Sequence, residues 1–361
     1  MRILRLSTFL EGGGAEASIR EYLKNLSSSH KITLIYLAGT DNSKEELENK
    51  GIKVIKSSFS LRGFAKIIAY YNLFKPDIVH ATLYKAEFFA LLLKLLFRAK
   101  VVVNRDVDFW AFRKSDFLNW LVDIIFHKYI LYPFVDRIIA ITHHVRNYIL
   151  NTLGFKSKKV VVVYYGLDFS YVVKGKKRHK KKEVVIGFVG RLVHQKGVDV
   201  FLRTLIEMKK PRKKVIVNVY GDGPYHEMIA KVAPNLEEKG IKINLKGFVS
   251  NIYEEYGKMD ILFLPTQYEG FGLVFIEALS TRKIVILTSN IKPLDEVIGK
   301  HGVFCDKRDY MCFARSLYDI IHNLEKYQRV VYKNIEEHLN KFDIKKVSKD
   351  LEKVYEEVLI S

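Results

Sequence analysis

This chain of 361 residues has only two cysteines, Cys305 and Cys312. Two are too few for the disulfide framework of a small secreted domain, and neither has metal-ligand company nearby. Ordinary thiols in a reducing compartment are the expectation. Long apolar runs are also missing: the run near residues 88–93 stops at Lys94, so nothing reaches bilayer-spanning length. Met1-Arg2-Ile3-Leu4-Arg5-Leu6 flows straight into a strand pattern without an apolar h-region or a small-residue cleavage site, which argues against a signal peptide. The Gly-Lys-Ser/Thr order of a Walker loop is absent, and so is the three-glycine dinucleotide fingerprint. No helix-turn-helix, zinc or aromatic-stacking module accompanies the basic residues. Acidic residues are in deficit, with 60 Lys and Arg against 40 Asp and Glu and a formal net charge of +20. Residues 1–200 carry 34 cations against 17 acids, whereas residues 251–361 carry 16 against 18. Such a field favours an anionic partner, whether nucleotide, phosphorylated lipid, acidic membrane or nucleic acid, without choosing among them. A solvated lysine-rich surface is the plain alternative.

What is present is a core and a rhythm. With 48% hydrophobic residues the chain buries a sizeable interior, and its length suggests two domains on the usual prior of about 150 residues each. Short β-branched runs at 2–7, 32–38, 54–56, 78–80, 101–104, 138–141 and 160–163 alternate with helix-like stretches at 15–26, 64–73, 86–97, 117–129 and 144–153. That alternation predicts a parallel sheet between layers of helices. An almost purely basic run at 174–182 interrupts it and reads as a linker. The rhythm then restarts, with strands at 184–189, 215–220, 243–246 and 261–264 and helices at 198–208 and 225–232. The expected division is 1–170 for an N-terminal domain, 171–183 for a basic linker, 184–340 for a C-terminal domain and 341–361 for a helix packing back on the first. Val347, Leu351, Val354 and Val358 space that helix's apolar face.

Chemistry concentrates in two segments. In Pro265-Thr266-Gln267-Tyr268-Glu269-Gly270-Phe271-Gly272-Leu273-Val274-Phe275-Ile276-Glu277, one glutamate lies on a strand-to-helix loop and the other inside an apolar helix. Gly270 and Gly272 let backbone amides approach a ligand, and Glu277 at such a position needs a partner. A loop followed by a core helix with one paired glutamate is the structural alternative. Gly190-Arg191-Leu192-Val193-His194-Gln195-Lys196-Gly197 follows a buried strand and opens a helix, so Arg191, Lys196 and the helix amides suit a diphosphate. Glu277 suits a ribose diol, and Glu269 suits sugar hydroxyls or an oxocarbenium-like centre. Together they describe a nucleotide-sugar site.

The chain resembles a retaining glycosyltransferase of family four, group 1, over nearly its whole length. The likeness runs through Gly13-Gly14-Ala15-Glu16, Lys75-Pro76-Asp77-Ile78-Val79-His80, Asp136-Arg137-Ile138-Ile139-Ala140, Tyr165-Gly166-Leu167-Asp168, Gly187-Phe188-Val189-Gly190-Arg191-Leu192 with Lys196-Gly197, Gly221-Asp222-Gly223-Pro224, and the 269–277 segment. The resemblance implies an α/β fold of GT-B architecture, two Rossmann-like doubly wound domains facing across a cleft, with the acceptor bound by the first. It implies Arg191 and Lys196 on the donor diphosphate, Glu277 on the ribose, Glu269 with Gly270, Phe271 and Gly272 at the donor sugar and its phosphate, Gly190 beside them, and Gly13 and Gly14 closing over the donor. It further implies transfer of a hexose from a UDP- or GDP-sugar to a hydroxyl of a glycan or lipid-linked acceptor, with retention and with no metal or other cofactor.

Three departures stand out. Asn104-Arg105-Asp106 occupies the place where the family often has a histidine, so Arg105 and Asp106, with His80, are expected as acceptor or donor-sugar contacts. Residues 290–296 replace a Gly-Gly loop, and Arg282-Lys283-Ile284 replaces a small turn. Asp106-Val107-Asp108 has the spacing of a metal-binding Asp-x-Asp, but two carboxylates are too common a pattern to carry that reading. His143-His144, without acidic or thiol companions, reads as a helix start. The competing functions are a nucleic-acid-binding or non-catalytic basic protein, and a sugar-nucleotide epimerase or phosphorylase on the same fold. The aromatic and basic mixture at 109–132, Trp110 and Trp120 included, resembles a surface resting on an anionic bilayer. A cytoplasmic enzyme, peripheral on the inner face of a membrane, is the expected setting.

Overall fold

A computed structural model describes residues 1–107, 117–171, 183–249 and 251–361. The backbone divides into two units, Met1–Asp168 with Lys341–Ser361, and Phe169–Asn340.

The first unit holds seven strands: β1 (Arg2–Phe9), β2 (Lys31–Ala38), β3 (Lys53–Lys56), β4 (Ile78–Thr82), β5 (Val101–Arg105), β6 (Arg137–Ala140) and β7 (Val160–Val162). All pair in parallel, in the order β3-β2-β1-β4-β5-β6-β7. Every residue of β4 and β5 is buried, as a parallel sheet covered by helices on both faces requires. The chain reverses its direction of growth between β1 and β4, which makes their carboxyl ends this unit's switch point.

The helix Ile344–Ile360 belongs to this unit because its apolar stripe has a partner here. Val347, Leu351, Val354, Tyr355 and Val358 are buried in one cluster with Ile19, Tyr22 and Leu23 of the helix Gly14–Leu26 and with Ile3 and Ile78 of the sheet. Each such aliphatic side chain contributes ~1.5–3 kcal/mol by leaving water. Asp343 caps the helix, accepting from the Lys345 amide at 2.9 Å, and Leu167 bonds its entry through the Ile344 amide at 3.1 Å.

The second unit has β8 (Glu183–Val189), β9 (Lys214–Tyr220), β10 (Ile241–Gly247), β11 (Ile261–Leu264), β12 (Val285–Ser289) and β13 (Val303–Cys305), again all parallel, ordered β10-β9-β8-β11-β12-β13. Here the switch point falls between β8 and β11. The last two strands were not among those read from the sequence, where an apolar run such as Ile284-Val285-Ile286-Leu287 has no period to separate strand from helix.

Two local expectations need correction. Cys305, ending β13, and Cys312, in the helix Tyr310–His322, form a disulfide with their Cα atoms 5.9 Å apart, so they are not separate thiols. The six intervening residues fold the first turn of that helix back against the strand end, and the bridge removes the support that the cysteines lent to a reducing setting. The helix expected at 117–129 is α-helical only over Phe117–Ile125 and continues as a π-helix, Phe126–Leu131. Of the expected elements, the linker at 171–183 lies outside the described residues apart from its two ends, and so do Asp108 and Trp110.

Candidate active site

The loops leaving β8 and β11 run side by side because their strands are neighbours in register, Ile261 opposite Ile186 and Leu262 opposite Gly187. Gln195 joins them. Its carbonyl accepts from the Gln267 amide at 2.7 Å and from Thr266 Oγ1 at 3.0 Å, while its own amide donates to the Tyr268 carbonyl at 3.1 Å. Gly197 lets the loops touch: its φ is +71°, and a Cβ there would stand 1.9 Å from the Pro265 carbonyl oxygen. Any side chain at this position pushes the loops apart.

This junction holds Gly190, Arg191, Lys196 and Glu269, and the helix that follows carries Glu277. Arg191 is exposed, and its guanidinium donates to Gln195 Oε1 at 3.0 Å. The Lys196 stem lies 3.6 Å from where a Gly190 Cβ would be, and its ammonium is ion-paired with Glu269. Glu269 is 8% exposed and also accepts from Thr266 Oγ1 at 3.3 Å. After Gly270 and the buried Phe271, Gly272 adopts φ +84° as the residue before the helix Leu273–Ser280, where a Cβ would come within 2.7 Å of the Phe275 ring. The helix then carries Glu277 inward. Tyr256, fully buried, donates its hydroxyl to Glu277 Oε2 at 2.7 Å. Burial pushes the Glu277 carboxyl up, and the hydroxyls of Tyr256 and Tyr253 offset part of that rise. A half-buried carboxylate whose pKa burial raises, an exposed guanidinium and a lysine held by one carboxylate, carried on or just after the loops of two neighbouring strands, have the makings of a site for an anionic, hydroxyl-bearing ligand. Sequence reasoning assigns no role to Gln195, Thr266 or Tyr256, because each acts through contacts that span 21 to 73 residues of chain.

In the first unit, Gly13 and Gly14 are exposed at the carboxyl end of β1, where Gly14–Leu26 begins. The other three expected contacts sit at or near the ends of β4 and β5, and two of them are occupied by protein. His80 is 1% exposed; Nδ1 bonds Tyr355 Oη at 2.6 Å and Nε2 bonds Asn104 Oδ1 at 2.8 Å. Burial and the Arg5 charge hold its pKa well below the usual histidine value, so it is a neutral, satisfied core histidine. Arg105 does not face a ligand either. Its guanidinium grips Asp123 in a fork, 3.0 and 2.6 Å, and stands 3.3 Å from His127, whose Nε2 meets Glu87 at 3.2 Å. All four are buried, because β5 ends beneath the 117–131 helix. Burial alone would raise the Asp123 pKa, but the His127 hydrogen bond and the Arg105 charge bring it down to about 2.

Asp106 differs. Its Oδ1 has no hydrogen-bond partner, and burial raises its pKa to about 6 against the opposing hydrogen bond from Tyr165. His143 and His144 open a helix whose Thr142 hydroxyl accepts from the Val145 amide at 3.1 Å. Arg282 and the 290–296 segment have structural places: Arg282 pairs with Glu336 through two bonds, and Pro293 sits in the first turn of the helix Lys292–Val297. Among the described residues no three His, Cys, Asp or Glu side chains are gathered to hold a metal ion.

Two doubly wound parallel sheets, each with its loops at a switch point, define an α/β protein with a two-domain GT-B-like fold. The profile of Glycosyltransferase Family 4 matches residues 12–171, and that of glycosyl transferases group 1 matches residues 172–337. The O-antigen biosynthesis glycosyltransferase WclY of Escherichia coli is 23% identical over 313 residues, covering 83% of this chain and 80% of that protein. A Campylobacter jejuni alpha-1,4-N-acetyl-D-galactosaminyltransferase, named for an acceptor built on PP-undecaprenol, is 22% identical and covers 99% of both. The solved structure of Anabaena Alr3699/HepE in complex with UDP superposes with a TM-score of 0.82 at 18% identity, covering 99% of this chain and 100% of that one. Its complex with UDP-glucose gives 0.81 at 18% identity with the same coverage. The chain belongs to the group 1 glycosyltransferases and is an enzyme of the glycosyltransferase class.

Proposed function

We propose that the enzyme moves a hexosyl group from a UDP- or GDP-sugar to an acceptor hydroxyl, with retention of configuration and without a metal ion. The observation that carries the reading is the junction of the β8 and β11 loops, where Lys196 pairs with Glu269 and Arg191 donates to Gln195, with Glu277 on the helix that follows. In this reading Arg191, Lys196 and the amides of 270–272 hold the diphosphate, Glu277 holds the ribose diol, and Glu269 holds the transferred sugar. The bond from the anomeric carbon to the diphosphate breaks, the acceptor oxygen bonds to the same face, and the leaving phosphate oxygen takes the acceptor proton. The cations stand where a metal serves other enzymes, and each preorganised donor to the leaving group is worth ~3 kcal/mol. Asp106 is the one first-unit carboxylate we assign to the acceptor hydroxyl. The UDP and UDP-glucose complexes of the Anabaena neighbour and the lipid-linked acceptor in the Campylobacter relative's name support the substrate classes. The setting we propose is cytoplasmic, at a membrane face.

A thermal-shift screen of nucleotide sugars, followed by a transfer assay, tests this. A true donor stabilises the protein by about 2.7 kcal/mol at a hundredfold excess over its Kd. Glu277→Ala and Arg191→Ala are expected to abolish the shift; normal donor binding by both variants overturns the assignment.

A further inference from the structure

The helix Phe117–Ile125 and the π-helix that extends it to Leu131 are built inside out. An amphipathic helix at a protein surface turns its apolar stripe inward and its charges to water. Here Asp123 and His127 point inward, into the buried network with Arg105 and Glu87. Leu118, Val122, Ile125 and Tyr129, spaced four, three and four apart, point outward, with Leu118 69% and Tyr129 64% exposed. Ile130 and Phe134 continue the exposed stripe. The inward charges hold the helix in this orientation, because turning the apolar face in would strand Arg105 and Glu87 without partners.

The surroundings of the stripe are basic. Between residues 117 and 160 the only acids are Asp123 and Asp136, held by Arg105 and by Lys94 at 2.7 Å, whereas the cations are Lys128, Arg146, Lys156, Lys158, Lys159 and Arg137, the last paired with Glu357 at 3.8 Å. Lys128 stands 5.5 Å from the Tyr129 ring centre, and Lys159 donates to the carbonyls of Pro133 and Val135 at 2.9 and 3.1 Å, beside Phe134. Lys156 and Lys158 are exposed. Cations around an exposed apolar stripe match the two needs of an interfacial helix, acyl chains for the stripe and anionic headgroups for the rim. No helix among the described residues is long and apolar enough to cross a membrane, so the contact is one of lying on the surface.

We propose that the outward face of residues 117–134 is a docking surface for an anionic lipid bilayer. The proposal draws its purpose from a lipid-borne acceptor but is read without any sugar transfer. The experiment is co-sedimentation of the full chain with phosphatidylcholine vesicles with and without phosphatidylglycerol, at low and high salt. Binding is expected only to the anionic vesicles and is expected to fall with salt. Each neutralised surface lysine is worth about fivefold in partitioning, so Lys128→Gln, Lys156→Gln and Lys158→Gln together should weaken binding by about a hundredfold. Leu118→Ser with Val122→Ser leaves the charge unchanged and should weaken it at least tenfold, since both side chains lose apolar burial. Equal binding by parent and variants overturns the proposal, and so does equal binding to neutral vesicles. A vesicle-free dimer that Leu118→Ser and Val122→Ser dissociate also overturns it, since a second copy then covers the stripe. The nucleotide thermal shift is measured on the same variants. A retained shift without vesicle binding refutes the docking face alone, and vesicle binding without a shift in the parent refutes the donor reading alone.

Discussion

Glu269→Gln separates binding from transfer in one substitution. The Lys196 ammonium is held by the Glu269 carboxylate, and that carboxylate is 8% exposed. A donor diphosphate placed at this loop competes for the same ammonium and is repelled by the same carboxylate. Two unit charges about 4 Å apart interact by about 4 kcal/mol at an effective dielectric of about 20. Only part is recovered on removing the carboxylate, since water and the Gln195 and Thr266 dipoles already screen the loop. A gain of ~1.4 kcal/mol corresponds to tenfold in affinity. Glutamine keeps the shape and an oxygen that accepts from Lys196 and Thr266, so the loop stays assembled. Titration calorimetry with UDP and GDP should therefore show the cognate diphosphate binding about tenfold more tightly to the variant. Transfer from the intact nucleotide sugar should fall by ~10²–10³-fold, because the carboxylate contact to the reacting sugar is gone. If diphosphate binding weakens instead, Glu269 orders the loop and Lys196 does not meet the diphosphate; if transfer is unchanged, Glu269 does not touch the sugar.

Three further outcomes follow from buried groups. Asp123→Ala leaves Arg105 and His127 charged in the interior and should cost ~3–5 kcal/mol in urea unfolding, while Arg105→Met with Asp123→Leu should recover most of it. The Asp123 pKa is about 2 in the folded chain, below the unfolded ~3.9, so its contribution of ~2.5 kcal/mol is present above about pH 4 and is lost as pH falls through 2; the parent's acid-unfolding curve should steepen there and the double variant's should not. Asp106 has the opposite sign. Its folded pKa of about 6 lies above the unfolded ~3.9, so its stabilising share is full below about pH 4 and is lost as pH rises through 6; Asp106→Asn should match the parent's stability at about pH 4 and exceed it by ~3 kcal/mol at about pH 8. Gly197→Ala meets both a φ of +71° and the Pro265 carbonyl, so it should cost ~3 kcal/mol or more and blunt the nucleotide thermal shift; an unperturbed melting temperature would show that the two loops do not touch there.

Local pattern settled much of this molecule. Runs such as Val101-Val102-Val103 and Ile261-Leu262-Phe263-Leu264 are apolar on both faces, and only a covered parallel sheet or a buried helix accepts them; the amphipathic segments between them choose the sheet. Gly270 and Gly272 could be read because glycine lets backbone amides approach a ligand, and Arg191, Lys196, Glu269 and Glu277 because strand-to-helix turns are where such sheets meet ligands. The partners of those residues were not legible. Tyr256 meets Glu277 and Asp123 meets Arg105 only after strands and helices pack, and no periodicity in the chain records which side chain will face which. The same holds for Cys305 with Cys312, and for His80, where a strand-end histidine reads equally as ligand contact or core until Tyr355, 275 residues away, is found on its ring. Residue type and spacing determine which groups are available and which elements carry them. Tertiary packing decides which of those groups are consumed by the interior and which remain for chemistry, because leaving a buried polar atom unpaired is costly and most therefore find a partner.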